Sequence, residues 1–215
     1  MDRSTADVRD TYDEIARHFA ETREYAWPEV EEFLSDRTGA VGLDLGCGNG
    51  RHAQTLAEHT DHVLGVDVSR GLLETARYRR RERGFDVELV QGDASRLPLT
   101  TGTVDLAVYV ATLHHLPTRT DRVASLDELS RVLAPAGRAL VSAWSTTHDT
   151  FDADEGFDTT VDWTLPGGET VDRFYHIYDP GEFRADLDRS ALDPLDVFLS
   201  SGNCYAVVGP KGKRP

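Results

Sequence analysis

Three shortages in the sequence exclude whole classes of protein. The 215 residues contain only two cysteines, Cys47 and Cys204, and no CxxC pair, which excludes a disulfide scaffold and a cysteine-based zinc site. No apolar run approaches the roughly 20 residues that a membrane-spanning helix needs. The first ten residues are polar and acidic, unlike a secretory signal. We therefore expect a cytoplasmic protein in a reducing compartment, with no membrane partner.

Lysine is also scarce, and the charge balance is strongly acidic. Lys211 and Lys213 are the only lysines, and 38 Asp and Glu residues face 23 basic ones, giving a net charge of −15. Such a composition resembles that of halophilic proteins, although an ordinary acidic protein is the alternative. A negative surface normally argues against nucleic-acid partners. In molar salt, however, the Debye length is only about 3 Å, so local arginines and shape would carry recognition.

The middle of the chain alternates short apolar runs with segments of helical spacing. This order predicts an α/β fold, a Rossmann-like doubly wound sheet of about seven strands whose last pair is antiparallel. The predicted strands are Val41–Leu45, Val63–Asp67, Val87–Val90, Val104–Val110, Arg138–Ala143, Leu195–Leu199 and Cys204–Val208. The predicted helices are Asp7–Ala20, Pro28–Leu34, Arg51–Ala57, Ser69–Arg83, Val123–Leu133 and Pro180–Leu187.

The length fits a single domain of residues 1–215. Residues 145–172 are polar, acidic and rich in turn formers, so we interpret them as an irregular insertion or lid. The domain then divides into N-terminal helices (1–38), a ligand-binding core (39–144), the insertion (145–172) and a C-terminal segment (173–209).

The first strand ends in an acid and three closely spaced glycines, Asp44-Leu-Gly46-Cys-Gly48-Asn-Gly50. Glycine allows positive φ and lets a ligand approach the backbone. An acid two residues before the first glycine resembles the class I S-adenosylmethionine (SAM)-dependent methyltransferases. The resemblance implies that Asp44 and the turn, including Cys47, hold the amino-acid half of SAM directly or through water.

Further candidates for the cofactor stand where the next strands end. Asp67 follows the second strand, where a carboxylate can accept hydrogen bonds from ribose hydroxyls. Asp93 and Ala94 follow the third strand, where the family binds adenine, and Val110 ends the fourth. Any single acid can instead be a helix cap or turn former. Acids and glycine turns at four successive strand ends favour the SAM site.

A second resemblance concerns the acceptor, and it covers most of residues 11–209. Several stretches are similar to the tRNA wobble-uridine carboxymethyl methyltransferases, namely Tyr12–Phe19, Thr22-Arg23, Trp27–Val30, Val110–Leu116, Val161-Asp-Trp163, Arg173-Phe-Tyr175-His176, Gly181-Glu182-Phe183 and Gly202-Asn203. The chain departs from that family in its acidic residues 145–170 and at Asn203-Cys204-Tyr205, where a tryptophan usually follows the Asn.

This resemblance implies methylation of the carboxylate of 5-carboxymethyluridine in the tRNA anticodon loop, forming a methyl ester. An ionised carboxylate needs no general base, so we look for residues that orient it. Arg23 and Arg173 are predicted to contact carboxylate or phosphate. The other predicted acceptor-side residues are Trp27 and Tyr175 for stacking, His115 and His176 for hydrogen bonding with charge near pH 7, and Asn203.

The remaining predictions concern His114, metals, rival functions and a partner. We expect a structural role for His114 and no metal site, since adjacent histidines at a strand end point in different directions. The alternative functions are a small-molecule methyltransferase acting on a quinone, and a SAM-binding scaffold without turnover. The resemblance also implies a heterodimer with a small zinc-binding methyltransferase activator protein.

Overall fold

A computed structural model of the chain describes residues 4–212, so residues 1–3 and 213–215 of the predicted domain lie outside it. The main sheet has seven strands in the order β3-β2-β1-β4-β5-β9-β8, and a separate two-stranded sheet pairs β6 with β7. The strands are β1 Gly39–Leu45, β2 Thr60–Asp67, β3 Glu88–Gln91, β4 Val104–Tyr109, β5 Leu133–Trp144, β6 Phe157–Thr164, β7 Thr170–Ile177, β8 Leu192–Ser200 and β9 Asn203–Pro210. The helices are α1 Thr5–Glu21, α2 Pro28–Leu34, α3 Arg51–Leu56, α4 Arg70–Arg83, α5 Arg119–Val132 and α6 Pro180–Arg189.

The order of the strands reverses at the centre of the sheet. β1 pairs in parallel with β2 on one side and β4 on the other, and both central strands are mostly buried. A crevice opens beyond the carboxyl ends of strands at such a reversal, which makes it the usual ligand site of this architecture. β9 runs antiparallel between β5 and β8, so the predicted α/β sheet with an antiparallel last pair is confirmed.

Local capping explains where the helices begin and end. Ser4 and Asp7 form a capping box at the start of α1. Ser69 caps α4, which ends at Gly84 with a φ of 70°. α5 begins at Arg119, before the predicted start, because the Thr118 side chain accepts a hydrogen bond from the Asp121 N–H.

Part of the segment predicted as an irregular insertion or lid is a regular β-hairpin, so the expected irregularity is wrong for residues 157–172. Residues in β6 alternate between half-buried and exposed positions, with acids such as Asp158 and Asp162 on the exposed side. The acidic composition of one face hid the period-2 pattern of the other. Trp163 packs the hairpin against α1, and the predicted boundary at residue 173 falls inside β7.

Two properties concern the described part of the chain as a whole. Across residues 4–212, none of the helices combines the length and apolarity that crossing a bilayer demands. The same residues contain no group of three or more His, Cys, Asp or Glu side chains arranged to hold a metal ion.

Candidate functional site

Two adjoining cavities open at the carboxyl ends of β1 and β4. The large cavity has a volume of about 310 Å³ and the small cavity about 100 Å³. Both border on Gly46, Gly48, Thr112 and His115, so the glycine turn and the segment after β4 separate them. Helix α1 closes over both through Tyr12 and Phe19.

The glycine turn is shaped by close packing on one side and open space on the other. A Cβ on Gly46, whose φ is 72°, would lie 2.1 Å from the Thr112 Oγ1. At Gly48, whose φ is 54°, a Cβ would meet nothing within 4 Å. The backbone at Gly48 is therefore directly accessible to a ligand, as a cofactor-binding turn requires.

Asp44 lies beneath this turn and does not line either cavity. It is 1% exposed, and its Oδ2 accepts a hydrogen bond of 2.8 Å from the Ala53 N–H. Burial raises the pKa of its carboxyl to about 7. Asp44 is therefore not placed to contact a ligand directly. Its side chain instead stabilises the first turn of α3 through the Ala53 N–H.

The small cavity has the character of a nucleoside slot. Asp67 lies at its edge, where Oδ2 accepts from the Gly48 N–H at 2.8 Å and Oδ1 from the Ser69 N–H at 2.8 Å. Burial raises the pKa of Asp67 to about 6. Asp93 and Ala94 line the same cavity, with apolar side chains such as Leu72 around them. A cationic donor with a ribose and an adenine, such as SAM, fits an apolar slot edged by two carboxyl groups and open glycine backbone.

The large cavity, in contrast, is lined by three arginines and by no carboxylate of the described residues. Arg173 is only 6% exposed, none of the ion pairs found within residues 4–212 includes it, and its buried Nε has no hydrogen-bond partner there. Its guanidinium donates to the Tyr175 hydroxyl at 2.7 Å and lies 4.7 Å from the centroid of the Trp163 ring. Arg23 lies over the same ring at 5.8 Å, and Arg51 is the third. A buried guanidinium without a counterion favours an anionic ligand.

Tyr175 faces this cavity, whereas Phe174 packs towards the cluster around α1. The Tyr175 ring stacks on His114 with a centroid distance of 5.0 Å and an interplanar angle of 24°. Trp144 meets Tyr175 edge-on at 5.2 Å. The aromatic group forms one wall of the large cavity.

His115 lines both cavities, but it is neutral at pH 7. Its Nδ1 donates to the Phe174 carbonyl at 2.9 Å, and its Nε2 accepts from the Tyr12 hydroxyl at 2.9 Å. Burial lowers the pKa of His115 to about 3. The prediction that this ring carries charge near pH 7 is wrong, because both nitrogens are already engaged and the site is desolvated.

His176 lies away from both cavities, which corrects its predicted role at the acceptor. Its Nδ1 lies 2.6 Å from the Asp158 Oδ1 and its Nε2 lies 2.9 Å from the Glu182 Oε2. The ring therefore ties the hairpin to α6. His114, for which a structural role is predicted, is buried and accepts a hydrogen bond from the Trp144 N–H at 2.9 Å.

The other predicted residues are placed at the large cavity, together with several that the prediction missed. Trp27, Cys47, Val110 and Asn203 all line it. The residues that were not predicted include Tyr12, Asn49, Arg51, His52, Thr112, Trp144 and His148. Arg51 had a signal in the sequence, since it directly follows the glycine turn; Trp144 and His148 come together with the site only through the fold.

Comparison with protein families and with curated proteins points to methyl transfer. A family model described as a methyltransferase domain matches residues 43–137. The tRNA (carboxymethyluridine(34)-5-O)-methyltransferase of Saccharomyces cerevisiae is 36% identical over 74% of this chain and 57% of that protein. The protein of that description from Schizosaccharomyces pombe is 28% identical over 94% of this chain and 95% of that protein. The chain spans only 20% of the length of a Macaca fascicularis relative, ALKBH8, that is 37% identical.

Solved structures confirm the fold. The DhpI–SAH complex superposes with a TM-score of 0.72 at 21% identity, covering 97% of each chain. A complex between the Trm112 methyltransferase activator of Haloferax volcanii and a methyltransferase gives a TM-score of 0.69 at 17% identity, covering 97% of this chain and 99% of that one.

Proposed function

We propose that this chain is a class I SAM-dependent methyltransferase that methylates the carboxylate of 5-carboxymethyluridine at the wobble position of tRNA. The product is a methyl ester. The observation that carries the proposal is the large cavity, which is lined by arginines and by no carboxylate of the described residues, in a chain with 38 acids. The names of the yeast relatives supply the substrate.

SAM supplies an electrophilic methyl group on a sulfonium when it is bound. The residues that would hold it are the Gly48 backbone, Asp67 for the ribose, and Asp93 with Ala94 for the adenine, all of which border the small cavity. Asp44 supports this arrangement from below by anchoring Ala53. The large cavity then adjoins the small one at Gly48 and Thr112, so an acceptor there lies next to the cofactor.

The acceptor chemistry agrees with the protonation states of the cavity. A carboxylate is already ionised at neutral pH, since its reference pKa is about 4. His115, with a pKa of about 3, is a poor proton acceptor, and burial raises the pKa of Tyr175. Arg173 can hold the acceptor anion while the Tyr175–His114 stack and Trp144 exclude water. Position and desolvation, and not proton transfer, would then supply the rate enhancement.

A quinone-type small molecule remains the rival acceptor. The phenolic oxygen of a quinol, the reduced form of a quinone, must lose its proton before or during O-methylation, so such an enzyme needs a base near the cavity. An apolar lid would also suit that substrate better than the arginines over Trp163 do. Both considerations favour the anionic acceptor.

We also propose a heterodimer with a small zinc-binding activator protein. The H. volcanii complex supports this idea, because a methyltransferase of the same fold was solved together with its Trm112 activator. The test is co-expression. A lone chain that methylates carboxymethyl-tRNA at the full rate would contradict the need for an activator; a rate that rises severalfold with the activator would support it.

Three anticodon stem-loops test the acceptor assignment. They carry 5-carboxymethyluridine, its neutral carbamoylmethyl analogue, or unmodified uridine at the wobble position. We expect methylation of the first alone and release of the methyl group by mild alkali, as an ester requires. Equal methylation of all three, or of none by an enzyme that turns over another acceptor, would contradict the proposal.

A further inference from the structure

Arg51 is the arginine of the large cavity that the reaction described above does not use. It begins α3 directly after Gly50 and lines the large cavity but not the small one. Its guanidinium carbon lies over the Trp27 ring, 5.4 Å from the centroid. It forms no ion pair with any carboxylate in the part of the chain that the structure describes. Arg51 is therefore half-buried on an aromatic face, with no carboxylate of the described residues at ion-pair distance.

Its neighbours add positive charge to this region. Burial and then the nearby guanidinium groups of Arg23 and Arg79 lower the pKa of Arg51 to about 10, although the buried carboxyl of Asp44 raises it. Arg79 donates to the Gln54 side chain at 3.1 Å and has a carboxylate of Glu24 only at 3.9 Å. Glu24 itself lies much closer to Arg83, with which it is paired. Arg51 thus lies near two like charges, while Asp44 is buried beneath the turn and Glu24 is distant, and an anion bound beside Arg51 would relieve the repulsion.

We propose that Arg51, seated on Trp27 and backed by Arg79, forms a second anion subsite that binds a backbone phosphate adjoining the target nucleotide. This inference rests on the proposed function, since the target must be a nucleotide in a strand. The carboxylate of the base would be held at Arg173, and the phosphodiester at Arg51. Arginine suits this task because its guanidinium is always charged and matches the geometry of phosphate oxygens.

The proposed subsite also changes the role assigned to Trp27. The sequence predicts that Trp27 stacks on a splayed base, but the guanidinium of Arg51 lies over its ring. Trp27 then serves to position Arg51, in a cation–π contact. The base instead has the wall of the cavity that contains Trp144.

Comparing the affinity of a nucleoside with that of its monophosphates isolates the contribution of the phosphate contact to binding. The probes are 5-carboxymethyluridine and its 5′- and 3′-monophosphates, with binding measured by calorimetry to protein saturated with S-adenosylhomocysteine. We expect one monophosphate to bind the unaltered chain at least ten-fold more tightly than the nucleoside. Arg51→Gln should abolish that gain without changing the affinity for the nucleoside, and Arg51→Lys should restore part of it. The matched control is Arg77→Gln, an exposed arginine of α4, which should leave every affinity unchanged.

Other outcomes would overturn the subsite. An equal loss of nucleoside and nucleotide binding in Arg51→Gln would assign the residue to the base. A ten-fold loss of affinity for S-adenosylhomocysteine would assign it to the cofactor carboxylate. The same comparison with uridine and its monophosphates needs no carboxymethyl group. If Arg51 raises the affinity for uridine monophosphate while carboxymethyl-tRNA is never methylated, the reaction is wrong and the subsite stands.

Discussion

At the scale of single residues, the acceptor side depends on a guanidinium that has no carboxylate partner within residues 4–212. Arg173 contacts the Tyr175 hydroxyl and the Trp163 ring, so removing its charge breaks no internal ion pair. We expect Arg173→Gln to lower kcat/KM for carboxymethyl-tRNA about 10- to 100-fold, which corresponds to the roughly 1.5–3 kcal/mol of a charged hydrogen bond. The dissociation constant of SAM should not change.

The control for this variant is Arg184→Gln. Arg184 is exposed and paired with Asp188 on α6. It lines neither cavity, so its substitution should change kcat/KM less than twofold. A normal kcat/KM in Arg173→Gln would remove the carboxylate contact from the mechanism. A large loss in both variants would instead indicate a general effect of lowering the positive charge.

Asp44 offers a test that joins stability to pH. Its pKa is about 7 in the folded chain against an ordinary 3.8, so its contribution to stability is full below pH 3.8 and is lost as the pH rises through 7. We expect Asp44→Asn to raise the melting temperature of the ligand-free protein at pH 8 and to weaken SAM binding. The gain should shrink towards pH 4. Asp61→Asn, at an exposed acid, should show neither effect; a fall in the melting temperature of Asp44→Asn at pH 8 would refute the assignment.

The raised pKa of Asp67 leads to a prediction about how the affinity for SAM depends on pH. Its pKa is about 6 in the ligand-free chain, and a bound cation favours the ionised carboxylate. SAM affinity should therefore be constant above pH 7 and should fall by up to tenfold per pH unit below about 6. Titration of SAM by calorimetry from pH 5 to 8 measures this, and an affinity that is flat over that range would contradict it.

The residues that the sequence could reveal are those whose role depends on local chain geometry. Gly46, Gly48 and Asp67 follow strand ends, and the fold places them at the cavities as expected. His115 and His176 could not be assigned this way, because their protonation and partners come from distant segments. Phe174 supplies the carbonyl that binds one, and Glu182 the carboxylate that binds the other.

At the scale of elements, the hairpin β6–β7 is the feature that composition hid. Two of the four exposed positions of β6 carry acids and the other two carry threonine, so the segment resembles a loop when its residues are counted without regard to period. The parallel strands of the core, in contrast, are continuous apolar runs and are readily recognised. The start of α5 was missed because its cap, Thr118, precedes the apolar stripe.

The hairpin also yields a prediction about His176. The ring lies between Asp158 of β6 and Glu182 of α6, so His176→Ala should lower the melting temperature by several degrees, as the loss of a buried polar bridge does. The KM for tRNA should change less than threefold at a temperature where the variant is folded. A large rise in KM without any loss of stability would return His176 to the acceptor site.

At the scale of the whole molecule, the net charge of −15 predicts adaptation to salt. Mutual repulsion of surface acids destabilises the folded state, and salt screens it. We expect the melting temperature to rise steadily as KCl increases from 0.1 M to molar concentrations. A melting temperature that stays constant or falls over this range would contradict adaptation to high salt and would favour the alternative of an ordinary acidic protein.

The most direct test of the account is to find where the methyl group goes. The chain, with and without an activator protein, is incubated in high salt with labelled SAM and bulk tRNA, and the tRNA is digested to nucleosides. The account predicts label in one uridine derivative as an alkali-labile ester, and loss of that label in Arg173→Gln. Label that is stable to alkali, or that appears only in small organic extracts, would contradict it.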